Sequence, residues 1–133
     1  MRLTTKSEYS LLALIFIARH EDSGFVKIED ICIKYDIPKK YLEHLMMVLK
    51  QNGYTKTRRG AGGGYKLSRP AKSISVAEVI RLMDGALAPT DSVSKFFYWE
   101  TPLQKEKKII RLLKDIRDYV ATTLEKASLA DLV

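Results

Sequence analysis

The sequence holds one cysteine, Cys32, and only two histidines, His20 and His44. A lone thiol closes no intrachain disulfide and holds no cysteine-ligated metal by itself, so neither a disulfide framework nor a metal centre is expected. Glycine and proline, at 7 and 4 of 133 residues, are too scarce for a disordered or collagen-like chain. The longest apolar run covers residues 11–18, far short of the ~20 residues that cross a bilayer. The first eight residues include an acid, Glu8, and show no secretory cleavage pattern, so the expected compartment is the cytoplasm, with no membrane partner. No motif sets a nucleophile beside a base, and no enzyme is expected. What is present, 46% hydrophobic and 29% charged residues, suits a chain of one domain's size that builds its core without staples.

The net charge of +7 is unevenly spread: residues 1–70 carry 13 basic and 7 acidic side chains, residues 71–133 carry 10 and 9. Within residues 39–69 the basic set is Lys39, Lys40, Lys50, Lys56, Arg58, Arg59, Lys66 and Arg69, and Glu43 is the one acid. Such a patch is what a phosphate backbone attracts, because each neutralised phosphate releases counterions. It also suits a solvated cationic face.

Thr5 and Glu8 have capping-box spacing ahead of an apolar stretch running round every face of a first helix. After Asp22-Ser23-Gly24, the residues Ile28, Ile31, Cys32 and Tyr35 recur at helical spacing, with Cys32 as a small core residue. Asp36-Ile37 forms a turn, Pro38 opens a third helix, and Leu42, Leu45, Met46 and Leu49 make its apolar stripe up to Asn52-Gly53. Lys39, Lys40, Glu43, His44, Met47 and Gln51 fall on the opposite face. Two helices joined tightly, the second with such a face, fit a helix-turn-helix as well as an ordinary helical hairpin.

Two strands follow, over residues 54–58 and 65–68, around the tip Gly60-Ala61-Gly62-Gly63-Gly64. Glycine lets backbone N–H groups approach a phosphate without a Cβ in the way. A nucleotide-cradling loop is the competing reading, but no Gly-Lys-Ser/Thr and no helix follows. A basic wing is preferred, with Phe25-Val26 as a short third strand. Ser75 and Glu78 then form a second capping-box pair opening a helix that ends near Gly85. Phe96-Phe97-Tyr98-Trp99 needs cover, either from the final helix or a partner chain, or as the wall of an apolar effector pocket.

From Pro102 to near the end, Ile109, Leu112, Leu113, Ile116, Tyr119, Val120, Thr123, Leu124 and Ala127 follow a helical stripe. A helix of that extent spans ~40 Å and overhangs a chain of this size. Its stripe is covered either by the same helix of a second copy or by its own domain.

Met1-Arg2-Leu3-Thr4, Tyr9, Tyr41-Leu42-Glu43, residues 59–67 with their glycine run, and residues 74–80 together resemble the Rrf-two family of bacterial winged-helix transcription regulators. The likeness extends over essentially the whole chain, and the wing is its most specific part. It implies a mainly α fold with a small β-hairpin: a winged helix-turn-helix domain over residues 1–84, then a linker and a long dimerisation helix over residues 85–133. It implies recognition-helix contacts to double-stranded DNA from Lys39, Lys40, Tyr41, Glu43 and His44, and wing contacts from Arg58, Arg59, Gly62, Gly63 and Tyr65. It implies a homodimer joined through Ile109, Leu112, Leu113, Ile116, Val120 and Leu124. Sensor members of the family hold an iron-sulfur cluster on three cysteines between the fourth helix and the long helix, where this chain has none. No cofactor is therefore expected, and control falls to a small molecule, a protein effector or protein concentration.

The resulting expectation is a sequence-specific repressor on a pseudo-palindromic operator. The alternatives are a winged-helix protein-interaction module and a nonspecific nucleic-acid binder.

Overall fold

A computed structural model describes residues 1–133. Helix α1 (Thr5–Arg19) runs through the centre, and its Ser7, Ser10, Ala13, Leu14, Ile17 and Ala18 are buried. Its cap is Thr4, whose hydroxyl accepts from the Lys6 N–H, in place of the Thr5 cap that the spacing suggests. The cause is tertiary: Thr5 Oγ1 is engaged with Tyr41, while Asp84 holds both the N–H and the hydroxyl of Thr4.

Helices α2 (Ile28–Tyr35) and α3 (Lys39–Gln51) form the helix-turn-helix. Between them Asp36 takes a left-handed conformation (φ 55°), which turns the chain sharply enough to bury Ile37. Pro38, with no N–H to lose, caps α3. Leu42, Leu45, Met46 and Leu49 of α3 are all buried, as their spacing predicts.

Strands β1 (Thr55–Arg58) and β2 (Gly64–Leu67) pair antiparallel, and Val26 bridges Tyr65 through two backbone hydrogen bonds of 2.8 and 2.7 Å. The wing thus has the third, one-residue strand expected from Phe25-Val26. Helix α4 (Val76–Asp84) starts with the Ser75–Glu78 capping box and stops at Gly85.

Helix α5 (Lys107–Lys126) is shorter than its pattern suggests, about 30 Å in place of ~40 Å. Residues 102–105 make a separate 3-10 turn. At the other end Ala127 is extended, because its carbonyl accepts from the Val76 N–H (2.8 Å) and Leu129 donates to the Ile74 carbonyl (2.9 Å). That pairing draws Leu129 into the same core as Leu14, Leu42 and Val79, so the chain end returns to the helix-turn-helix body.

Candidate nucleic-acid interface

Helix α3 presents Lys39, Lys40, Glu43 and His44 on its exposed side, with Met47 and Gln51 one turn and two turns on. Lys39 is not free. Its ammonium lies 3.2 Å from Glu29 of α2 and 3.9 Å from Glu43, and the hydrogen bond to Glu29 raises its pKa. Glu29 escaped the sequence reading because the pair joins two helices through the turn at Asp36, and no helical spacing announces it. Tyr41 is half-buried: its hydroxyl shares a hydrogen bond of 3.0 Å with Thr5, and its ring meets Tyr9 edge-on. It braces α3 against α1, whereas Lys40 and His44 make no side-chain contact of that kind.

In the wing, Arg58 donates to the Gly62 carbonyl (2.9 Å) and its guanidinium sits 4.6 Å from the centre of the Phe25 ring. Arg59 is exposed and enters no ion pair. Gly62 is exposed at φ 73°, and Gly63 is buried against the Arg58 carbonyl, so the tip closes tightly over β1. Tyr65 lies at the base, half-buried; burial first, then the charges of Glu43 and Glu29, push its phenol pKa up. The wing follows α3 without a spacer: the Tyr54 N–H donates to the Leu49 carbonyl (3.0 Å), which joins the end of α3 to the root of β1.

Two carboxylates fasten α4 to the root of the wing and to the start of α1. Glu78 accepts from Tyr54 (2.9 Å) and Arg69 (2.8 Å) at the root of the wing and from the Ser75 N–H (2.8 Å). Asp84 accepts from the Thr4 N–H (2.8 Å) and Ser7 (2.6 Å) at the start of α1. Burial works to raise both carboxyls, but these hydrogen bonds outweigh it and hold both below their usual range. Burial also pushes Tyr54 up to about 12, assisted by Glu78.

Helix α5 carries two apolar stripes that the single pattern merged. Ile110, Leu113, Ala121 and Leu124 face the body of the chain, where Leu113 packs with Ala88 and Val93, and Leu124 with Val76, Ala77 and Ile80. Ile109, Leu112, Ile116 and Tyr119 face outward, Leu112 53% and Tyr119 76% exposed. Val120 and Ile116 border an apolar notch of about 230 Å³ with Ala88 and Pro89. The final helix does not cover Phe96–Trp99: all four residues are exposed, and only Phe96 has Arg81 laid across it, at 4.9 Å.

A helix-turn-helix followed directly by a glycine-tipped basic hairpin defines a winged-helix protein. The sequence pattern described as "Rrf2: Iron-dependent Transcriptional regulator" matches residues 3–133, and the chain belongs to the Rrf2 family. It is 42% identical over 90 residues to the HTH-type transcriptional regulator IscR of Xenorhabdus nematophila, covering 68% of this chain and 55% of that one. The corresponding figures for IscR of Escherichia coli are 40%, 68% and 56%. The chain thus spans about half the length of the curated relatives it matches. Among solved structures it is similar to CymR (YrzC), the global cysteine regulator of B. subtilis, with TM-score 0.80, 30% identity and coverage of 99% and 95%. Staphylococcus aureus CymR superposes with TM-score 0.73 and 32% identity over 97% of this chain and 95% of that one.

The iron in the family description finds no matching donors here. Cys32 is the one thiol, on α2 against the main core, and no group of three His, Cys, Asp or Glu side chains converges anywhere. Beside α5, Ser92 is buried and Gln104 spends its amide on the Ser92 carbonyl (2.7 Å). A hydroxyl and an amide do not replace thiolates on iron, so these residues do not fit an iron-sulfur cluster. No helix is long and apolar enough to cross a membrane.

Proposed function

We propose that the protein is a sequence-specific DNA-binding transcription regulator, acting in the cytoplasm as a cluster-free homodimer that represses by occupying a pseudo-palindromic operator. The observation that carries the reading is the direct succession of α3 and a basic wing, joined at Leu49 and Tyr54, with Lys40 and His44 exposed on the helix and Arg59 exposed on the hairpin next to a pinned Arg58. Lys40 and His44 at the start of the recognition helix suit base edges, and the wing arginines suit phosphates. Its relatives IscR, a transcriptional regulator, and CymR, a global cysteine regulator, support the same reading.

The outward stripe of α5 supports the dimer. Ile109, Leu112, Ile116 and Tyr119 recur at helical spacing with nothing over them, and the notch beside Ile116 has the size for an apolar side chain. A two-fold pair would present two α3 helices to successive turns of one duplex. Control without a cluster falls to a small-molecule or protein effector, for which the exposed Phe96–Trp99 segment is the apolar surface available.

The test is selection of bound duplex from a random pool by the full chain, followed by salt titration. A symmetric site preferred over random duplex by ~10³ or more supports the reading. Equal affinity for all sequences leaves a nonspecific binder, and no binding leaves a protein-interaction module. Ile116→Asp should convert the dimer to monomer in sedimentation; a variant that remains dimeric excludes the α5 stripe as the interface.

A further inference from the structure

We propose that the outer face of the wing is a second phosphate-binding surface, which grips duplex flanking the bases read by α3. The proposal rests on the DNA-binding reading and extends it from Arg58 to Lys56, Lys66 and Lys72, which lie outside the predicted contacts.

The β register puts Thr55 and Leu67 inward and sets Lys56 directly opposite Lys66 on the outer side, with Arg58 two residues further towards the tip. Two like charges directly across a strand pair repel. No carboxylate forms an ion pair with either lysine, so the protomer leaves that repulsion uncompensated. Phe25 lies on the same face, since its neighbour Val26 is buried, and its ring carries Arg58 at 4.6 Å and Lys66 at 6.0 Å. Phe25 therefore holds Arg58, and at longer range Lys66, on this face before any anion arrives.

At the foot of this face Lys56 and Lys66 continue into an open groove of about 490 Å³, which Lys72 and Arg69 also line and where Glu21 is the one acid. Arg69 is committed to Glu78, but Lys72 is exposed and, like Lys56 and Lys66, unpaired. The stripe is continuous from Arg58 at the tip to Lys72 at the root. An open, extended row of ammonium groups fits a run of phosphodiesters along a duplex better than a single small anion, which needs an enclosing site.

The experiment compares two duplexes sharing the selected operator, one trimmed to the bases read and one extended by about ten base pairs of arbitrary sequence on each side. Wild type should bind the extended duplex more tightly, with a salt slope steeper by up to about 0.9 for each lysine engaged. Three such contacts make its advantage shrink up to about 40-fold between 50 and 200 mM salt. The triple variant Lys56→Thr/Lys66→Thr/Lys72→Ala should lose that advantage and still match wild type on the trimmed duplex. Lys72→Ala alone, outside the sheet, guards against a folding defect and should flatten the slope by about one on the extended duplex. Retention of the full flank advantage by the variants, or an equal loss on both duplexes, overturns this proposal alone. Failure of wild type to prefer the trimmed operator over random duplex overturns the functional reading, and this proposal with it.

Discussion

The hydroxyls of Thr5 and Tyr41 lie 3.0 Å apart, so the first turn of α1 is tied to the first turn of the recognition helix. One residue earlier, Thr4 is held by Asp84 at the end of α4. A connection of hydrogen bonds therefore runs from the end of α4, through the start of α1, to α3, the second helix of the helix-turn-helix.

Tyr41→Phe removes the hydroxyl tie and keeps the ring against Tyr9. The link is solvent-exposed, so the stability loss should stay under about 1 kcal/mol. Tyr41→Ala also removes the edge-on packing and should cost more. Urea denaturation separates the two; equal losses would show that the ring contributes nothing.

Acid should loosen both ends of α4. Glu78 and Asp84 have folded-state pKa values below their ordinary 4.5 and 3.8, so their contribution is complete above those values. It fades as pH falls through the lower folded-state values. Asp84→Asn should flatten the acid limb of stability below about pH 4.5 while lowering the neutral-pH plateau by roughly 1–3 kcal/mol, because Ser7 and Thr4 lose a charged acceptor. Thermal melts across pH check this, and an unchanged acid limb in Asp84→Asn assigns the loss elsewhere.

Glycines of the wing should differ sharply in tolerance. A Cβ on Gly64 would fall 2.2 Å from the Val26 carbonyl oxygen at φ 140°, and one on Gly63 falls 2.2 Å from that of Arg58. At Gly62 the nearest atom is the flexible end of Arg58, 3.8 Å away, leaving only the cost of φ 73°. Gly62→Ala should cost about 1–2 kcal/mol. Gly63→Ala and Gly64→Ala should cost more and disrupt the hairpin, visible as lost protection of the Val26 and Tyr65 amides in hydrogen exchange. Equal cost at all three positions contradicts the close approach.

Neutralising Glu29 should release Lys39. Glu29→Gln removes one acid from the α3 surface and frees the ammonium now 3.2 Å from it, so affinity for any duplex should rise and the salt slope steepen by about one. Filter binding at several salt concentrations reads this; a slope unchanged from wild type means Lys39 does not face the backbone.

The α3 stripe, the capping box of α4, the basic hairpin and the bridge near Val26 were all legible in sequence, because each follows from local spacing or from turn chemistry. Cys32 lies half-buried on its stripe as a small residue, and burial pushes its thiol up, away from reactivity. The cap of α1 and the C-terminal stop of α5 escape the local pattern for a common reason, while the late start of α5 follows from the separate 3-10 turn over residues 102–105. At both ends a distant partner outbids the local signal: Asp84 claims Thr4, and the Ile74–Val76 backbone claims Ala127 and Leu129. The two stripes of α5 share one helical period, so only their neighbours tell the inward one from the outward one.

Sequence alone determined the order of helices and strands, the basic bias of residues 39–69 and the lack of cluster ligands, since these depend on residue type and on spacing within single elements. Tertiary structure alone decided that Lys39 is neutralised by Glu29, that Tyr41 serves as a brace, and that Lys56 confronts Lys66 beside Phe25. Each of these joins residues from different elements, where distance and facing geometry set the interaction and chain order carries no record of either.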